Sequence, residues 1–281
     1  MSIIKFKKNK VLHKRLSIVV ALTWILSSIL LVSGSIYFAY FYYRYTQEEK
    51  KADSKYNLLA IVQSSHSNEY LQSEYLAEQL GLSVDSPTNL FSFDCKRGEQ
   101  QLIRSPLINK ASIHKISPGT LFIEYSIRIP IAYLGDLTNT AIDENGVLIP
   151  FRPFFTPKSL PTIRLGATFF KPWEKGHYWG HSVKSNEFSL AKKIIDFFEK
   201  ENCGYLKVVD LKRIKSSSLG SREIVITIDD SRKRFIRLPV EKTMKSLEDY
   251  QLLHHSLLRK MLVTPEVIDL RLNHQALLYR S

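Results

Sequence analysis

Cysteine is scarce in this sequence, with only Cys95 and Cys203 among 281 residues. Neither has a second cysteine or a close histidine beside it, which excludes a zinc site built on cysteine. Gly-x-Ser-x-Gly is absent, and so is a glycine-rich phosphate loop, so there is neither a nucleophile elbow nor a nucleotide cradle. "SLAK", Ser189 to Lys192, does match Ser-x-x-Lys. It falls inside an amphipathic helical pattern and has no Lys-Thr-Gly partner. His177 and His181 in "KGHYWGH" are spaced i, i+4, but Gly176 and Gly180 argue against a helix, and no acid lies between the two rings. His254 and His255 point in adjacent directions on a helix and suit its polar face. No catalytic, metal or cofactor site is expected.

Acidic residues are also few: 27 against 40 Lys and Arg, a net charge of +13. Such a balance raises the question of nucleic acid. However, Lys5, Lys7, Lys8, Lys10, Lys14 and Arg15 hold six of these charges in a short leading segment, and no basic stripe follows. Arg232, Lys233 and Arg234 read as a solvated turn between strands.

One long apolar run is present. Leu16 to Tyr43 contains no charged residue, and about 20 apolar residues are enough to cross a bilayer. The six cations precede it without an acid, whereas Arg44 alone follows before Glu48 and Glu49. The cationic side stays in the cytoplasm, where each basic residue gains about 1 kcal/mol near anionic headgroups. Tyr37, Tyr40, Tyr42, Tyr43 and Tyr45 then form an outer aromatic belt. A cleavable signal peptide is the competing reading, since Ser33-Gly34-Ser35 supplies small residues, but the uncharged run continues well past that point. Outside the cytoplasm the two cysteines have two fates, a bridge or two idle thiols.

Beyond the run, 44–55 is charged and reads as a stalk or a helical continuation of the span. Tyr56 to Ser64 reads as a strand. "SEYLAEQL", Ser73 to Leu80, is a short amphipathic helix closed by Gly81. A second helix starts near Asp94 and stops at Pro106. Asn109 to Tyr133 then alternates, turns at Pro118-Gly119, and alternates again, with Leu121, Ile123, Tyr125, Ile127 and Ile129 on one face. Pro118-Gly119 suits the centre of a type II turn with positive φ at the glycine. The order is strand, helix, helix, strand, strand over 56–130.

From 131 to 281 the pattern is mostly β. Asp143 to Gly146 is a turn between Thr140 to Ile142 and Val147 to Ile149, and a proline-rich segment, Pro150 to Pro161, follows. Glu187 to Glu201 is a helix with Leu190, Ala191, Ile194, Ile195 and Phe198 on one face. Strands are expected at Leu206 to Ile214, Glu223 to Ile228, Phe235 to Leu238, Val267 to Leu272 and Gln275 to Tyr279, with a helix from Thr243 to Leu262. The fold class is α+β: a 1–15 basic tail, a 16–43 span, a 44–55 stalk and two exported domains.

Six short segments, in this order, resemble the FtsQ/DivIB family of bacterial cell-division proteins: "NLFSFD" from Asn89, "SPLINKASIHKISPGTLFIEY" from Ser105, "RIPIAY" from Arg128, "AIDENGVLI" from Ala141, "LPTI" from Leu160 and "VIDLRL" from Val267. The likeness runs over nearly the whole chain. Its POTRA motif positions here are Asn89, Pro106, Pro118, Gly119, Arg128 and Pro130. Ile127 stands where the family usually has glutamate, and "DDSRKR" where an Asp-Gly hairpin is common. The resemblance implies a POTRA domain at 56–130, a following β domain, no enzymatic activity, and a place in the inner membrane at the septum with the N-terminus in the cytoplasm. It also implies partners, an FtsB-like strand arriving with an FtsL-like coiled-coil mate. The matching partner segment is Leu270, Arg271, Leu272, Asn273, His274, Gln275, Ala276, Leu277, Leu278, Tyr279 and Arg280. Alternation over Asp269 to Arg280 puts Leu270, Leu272, His274, Ala276 and Leu278 on one face. A plain closing strand without a partner is the alternative. Two other functional classes are weighed: a POTRA-bearing helper of outer-membrane protein assembly or secretion, for which no run of barrel strands follows, and an exported enzyme, for which no acid-base cluster is visible.

Overall fold

The computed structural model describes the chain apart from residues 1–2, 68, 167–169, 171–177, 230–232, 257–264, 273–274 and 280–281. A helix, α1, runs from Ile3 to Ala52 without a break. No proline interrupts it, and Gly34 is its single glycine. Fifty residues at 1.5 Å each make a rod of about 75 Å, so the expected stalk is the end of the same helix. Thr23, Ser27, Ser28, Ser33 and Ser35 donate their hydroxyls to carbonyls three or four residues earlier. These bonds satisfy polar groups that an apolar medium would otherwise leave unpaired. Leu22–Ala52 contains a stretch long and apolar enough to cross a membrane.

The chain divides into two compact units. One holds Met1–Ile61, Leu82–Asp94 and Lys115–Leu121; the other holds Val62–Gly81, Cys95–His114 and Phe122–Ser281. A 3-10 turn, Ser54–Tyr56, precedes β1, Ala60–Ser65, so the first strand starts four residues later than the sequence suggests. Next come α2, Ser73–Gln79, and α3, Cys95–Arg104. Then β2, Ile108–Ile116, and β3, Thr120–Ile127, form the expected hairpin. Among the described residues these strands make a three-stranded sheet of order β1-β3-β2.

β3 is the middle strand, and its burial follows its alternation: Leu121, Ile123, Tyr125 and Ile127 are buried. The Tyr125 hydroxyl donates to Gln63 Oε1 at 2.8 Å and accepts from the Leu71 amide at 3.0 Å. Burial pushes its phenol up from the ordinary value. Ile129 does not join this face and is 66% exposed. The strand ends at Ile127, where the Arg128 amide bonds to the Leu107 carbonyl (2.8 Å) and Pro130 begins the next element.

The turn between β2 and β3 also differs from expectation. The Ser117–Pro118 peptide is cis, and Gly119 is not among the residues of positive φ. Close approach, rather than dihedral freedom, explains the glycine. A Cβ at Gly119 would run into the Asn57 carbonyl oxygen, and the Gly119 carbonyl accepts from Leu59 N at 2.8 Å. Overpacking of this kind typically costs about 1–3 kcal/mol. Gly119→Ala should therefore lower the unfolding free energy of the full chain by an amount in that range, and an unchanged denaturant midpoint would refute the contact.

The remaining strands form one sheet. They are β4 (Pro130–Leu134), β5 (Thr140–Asp143), β6 (Leu148–Pro150), β7 (Thr162–Arg164), β8 (Leu206–Asp210), β9 (Ile224–Asp229), β10 (Lys233–Leu238), β11 (Val267–Asp269) and β12 (Leu277–Tyr279). Among the described residues the order is β12-β11-β10-β9-β8-β7-β4-β5-β6. β10 and β11 are parallel, β11 and β12 antiparallel. α4, Asn186–Glu201, is capped by Ser185, whose hydroxyl accepts from Phe188 N at 3.1 Å. Its apolar face, Phe188, Ala191, Ile194, Ile195 and Phe198, enters a core shared with the sheet; Leu190 lies only partly within it. α5, Thr243–Ser256, adds Leu247 and Tyr250 to that core. His254 is buried against Tyr250 while His255 is exposed, so the pair straddles the buried boundary instead of sharing a polar face.

Candidate partner-binding edge

A sheet has two borders, and unpaired amides and carbonyls along a border invite another chain. The β6 border is closed by its own chain. Leu148 N donates to His181 O at 2.9 Å, Gly180 N to Leu148 O at 2.8 Å, and Val183 N to Gly146 O at 2.8 Å. In the small sheet, the Ile113 amide of β2 is taken by the Glu99 carboxylate of α3 at 2.9 Å. β12 is the other border of the large sheet. Its Leu277, Leu278 and Tyr279 are 40%, 39% and 48% exposed, so both of its faces are uncovered. Leu272, 53% exposed, adds to this apolar surface.

The two strands expected at Val267 to Leu272 and Gln275 to Tyr279 are present but shorter, as β11 and β12. The chain leaves β11 at Asp269 and returns antiparallel as β12, pairing Val267 with Tyr279, Ile268 with Leu278 and Asp269 with Leu277. Asp269 itself makes the break: Oδ1 accepts from the Arg271 amide at 3.1 Å, a local bond that competes with the ladder. The expected alternation of faces is therefore lost. Leu270 is 7% exposed and belongs to the core, whereas Gln275 and Ala276 are exposed. Asn273, His274 and Arg280 lie outside the described residues.

Arg271 is held from below. Its Nε lies 3.0 Å and 3.1 Å from the two Asp269 oxygens, and its Nη2 lies 2.8 Å from Oδ2. Its Nη1 is 3.4 Å from Glu223 Oε2. Glu223 is 2% exposed and also pairs with Arg237 Nη2 at 2.6 Å and Arg213 Nη1 at 2.7 Å. Arg237 reaches Asp269 at 3.4 Å. Burial opposes charge on Asp269, but the Arg271 hydrogen bonds outweigh it and hold the carboxyl below its ordinary value. The bonds to Asp269 raise Arg271 in turn. A cavity of about 490 Å³ opens beside this cluster, lined by Arg222, Pro239, Asp269, Arg271, Leu277 and Tyr279 among others. Arg237 of β10, Asp269 of β11, and Arg213 and Glu223 from the loop before β9 thus brace the edge. Sequence reading missed Glu223, Arg237 and Arg213, because no local period links positions so far apart.

The expected motif positions are spread through the fold. Asn89 meets the end of α1; Pro106 lies in the turn between α3 and β2; Pro118 and Gly119 form the hairpin turn. Arg128 Nη1 pairs with the buried Asp143 at 3.0 Å, and Pro130 opens β4. Asp143 also accepts from the amides of Asn145 and Val147, which shapes the β5–β6 turn. Among the described residues no group of three or more His, Cys, Asp or Glu could hold a metal.

Compared with family models, residues 61–124 match the FtsQ-type POTRA domain. The chain carries an FtsQ-type POTRA domain. No curated protein matches the chain. The match covers most of β1, α2, α3 and β2, and runs into β3. It supports the resemblance to FtsQ/DivIB proteins over this domain, and with it a division-related POTRA protein. Around this domain the chain has an apolar N-terminal helix and a sheet-rich C-terminal part with few helices.

Proposed function

We propose that this protein is a single-pass inner-membrane division scaffold that binds partner proteins by strand addition at β12. Residues 1–15 lie in the cytoplasm and 16–43 cross the bilayer. The exported part comprises the POTRA domain, 56–130, and the β domain, 131–281. The observation that carries the reading is the asymmetry of the large sheet: its β6 border is covered by 180–183, while among the described residues no strand pairs with the outer side of β12, whose apolar side chains are substantially exposed. An FtsB-like strand with its FtsL-like mate is the occupant.

Strand addition by itself is weak. Three paired residues allow three or four main-chain bonds, a net gain of about 1.5–6 kcal/mol against an association cost of about 4–15 kcal/mol. Burying leucine or a comparable side chain adds about 1.5–3 kcal/mol each, so Leu272, Leu277, Leu278 and Tyr279 must contribute as much as the ladder. Confinement to one membrane raises the effective concentration of both partners.

A fluorescently tagged copy should concentrate at midcell in dividing cells. Even distribution around the envelope, or fractionation with the outer membrane, would overturn the reading and favour the assembly-helper class.

A further inference from the structure

The end of a helix leaves its last four carbonyls without intrahelical donors. At the end of α1 a side chain from a distant loop supplies what is missing. Asn89 Nδ2 donates to the carbonyls of Lys50 and Asp53, each at 3.0 Å. Its Oδ1 accepts from the Phe91 amide at 2.8 Å, which fixes the amide group's orientation. Backbone bonds flank this latch: Leu90 N to Tyr56 O at 2.7 Å and Leu58 N to Thr88 O at 2.9 Å. The Lys50 ammonium sits 5.4 Å from the Phe91 ring centre, and Tyr56 meets that ring edge-on at 5.0 Å. Asp53 alone separates α1 from the following 3-10 turn, and its carboxylate accepts from Lys55 N at 2.9 Å. The β2–β3 turn is tied to the same segment by the Leu59–Gly119 bond.

A flexible linker is thus missing where one would absorb motion, and α1 has no proline to act as a hinge. About ten residues separate Tyr43 from Asp53, a stiff extension of about 15 Å. We infer that Asn89 is a positioning residue that locks the 82–94 loop and the 115–121 turn to the membrane helix, so that they move with it as one body. Rotation or tilt of the span is then carried into the loop. A neighbouring helix that grips the span inside the bilayer sets the direction in which the loop faces without touching it.

Pulsed electron resonance on the full chain in lipid nanodiscs tests this. Spin labels are placed at Tyr45→Cys and Asp85→Cys, in a background of Cys95→Ser and Cys203→Ala. A single narrow distance distribution is expected, widening at least two-fold in Asn89→Asp and in Asn89→Ala. The aspartate variant keeps the acceptor for Phe91 N but sets a carboxylate against two carbonyl oxygens, so it removes the latch with little change in shape. A broad distribution with Asn89 present, or an equally narrow one in both variants, overturns the inference. Should both variants fail to fold, amide exchange of Tyr56, Leu58 and Leu90 in the unmodified chain decides: slow exchange supports the lock, and exchange as fast as at an exposed loop refutes it.

Discussion

Removing residues 275–281 is expected to lower the affinity for FtsB-like and FtsL-like partners by at least about 100-fold, equal to about 2.7 kcal/mol, while leaving the rest folded. The size follows from losing both the ladder and the apolar contacts of Leu277, Leu278 and Tyr279. Little stability should be lost, because all three side chains are substantially exposed. Truncation makes β11 the new border, so a second variant keeps the ladder and changes only its surface: Leu277→Glu with Tyr279→Glu. Charge on an edge strand is how proteins ordinarily discourage pairing, and this pair should weaken capture by a similar factor. Co-purification in detergent, quantified against a membrane-protein control, gives the readout. Undiminished capture by both variants would mean the partners dock elsewhere.

Glu223→Ala carries the largest expected loss of stability. The carboxylate is 2% exposed, and its removal leaves Arg213, Arg237 and Arg271 facing one another with only Asp269 to balance them. Breaking a buried charge network from one side costs about 3–5 kcal/mol. Arg213 is 65% exposed, so water relieves part of the strain, and the low end, about 3 kcal/mol, is the appropriate figure. For a chain of this size that corresponds to a fall in Tm of about 6–12 °C. Glu223→Gln retains the shape and should fall less. Thermal unfolding in nanodiscs measures it, and a shift below about 2 °C would show that the cluster contributes little. Since Arg271 borders the cavity beside β12, Glu223→Ala should also weaken partner capture.

Periodicity made the POTRA region legible. α2, α3 and the hairpin follow from helical spacing in 73–80, the stop before Pro106, and the alternation of Leu121 to Ile127. Errors fell where a local rule met a distant neighbour. Pro118-Gly119 satisfies the rule for a type II turn, yet the glycine answers to Asn57, far away in the chain. Ile129 continues the alternation but not the strand. β7 has three residues, too few for any period to register, although it is the parallel link between β4 and β8.

The terminal segment shows the same division. Two strands are readable in 267–279, but the early end of the first at Asp269, whose side chain bonds to the Arg271 amide, and the pairing of Val267 with Tyr279 are not.

From the sequence alone came the apolar helix, the α+β class and the motif order, because membrane crossing and amphipathic spacing depend on runs of adjacent residues. Tertiary structure decided which border stays open, what braces Arg271 and how Asn89 reaches the end of α1. Those outcomes depend on strand order and on side chains tens of positions apart, and no pattern within a single segment carries such pairings.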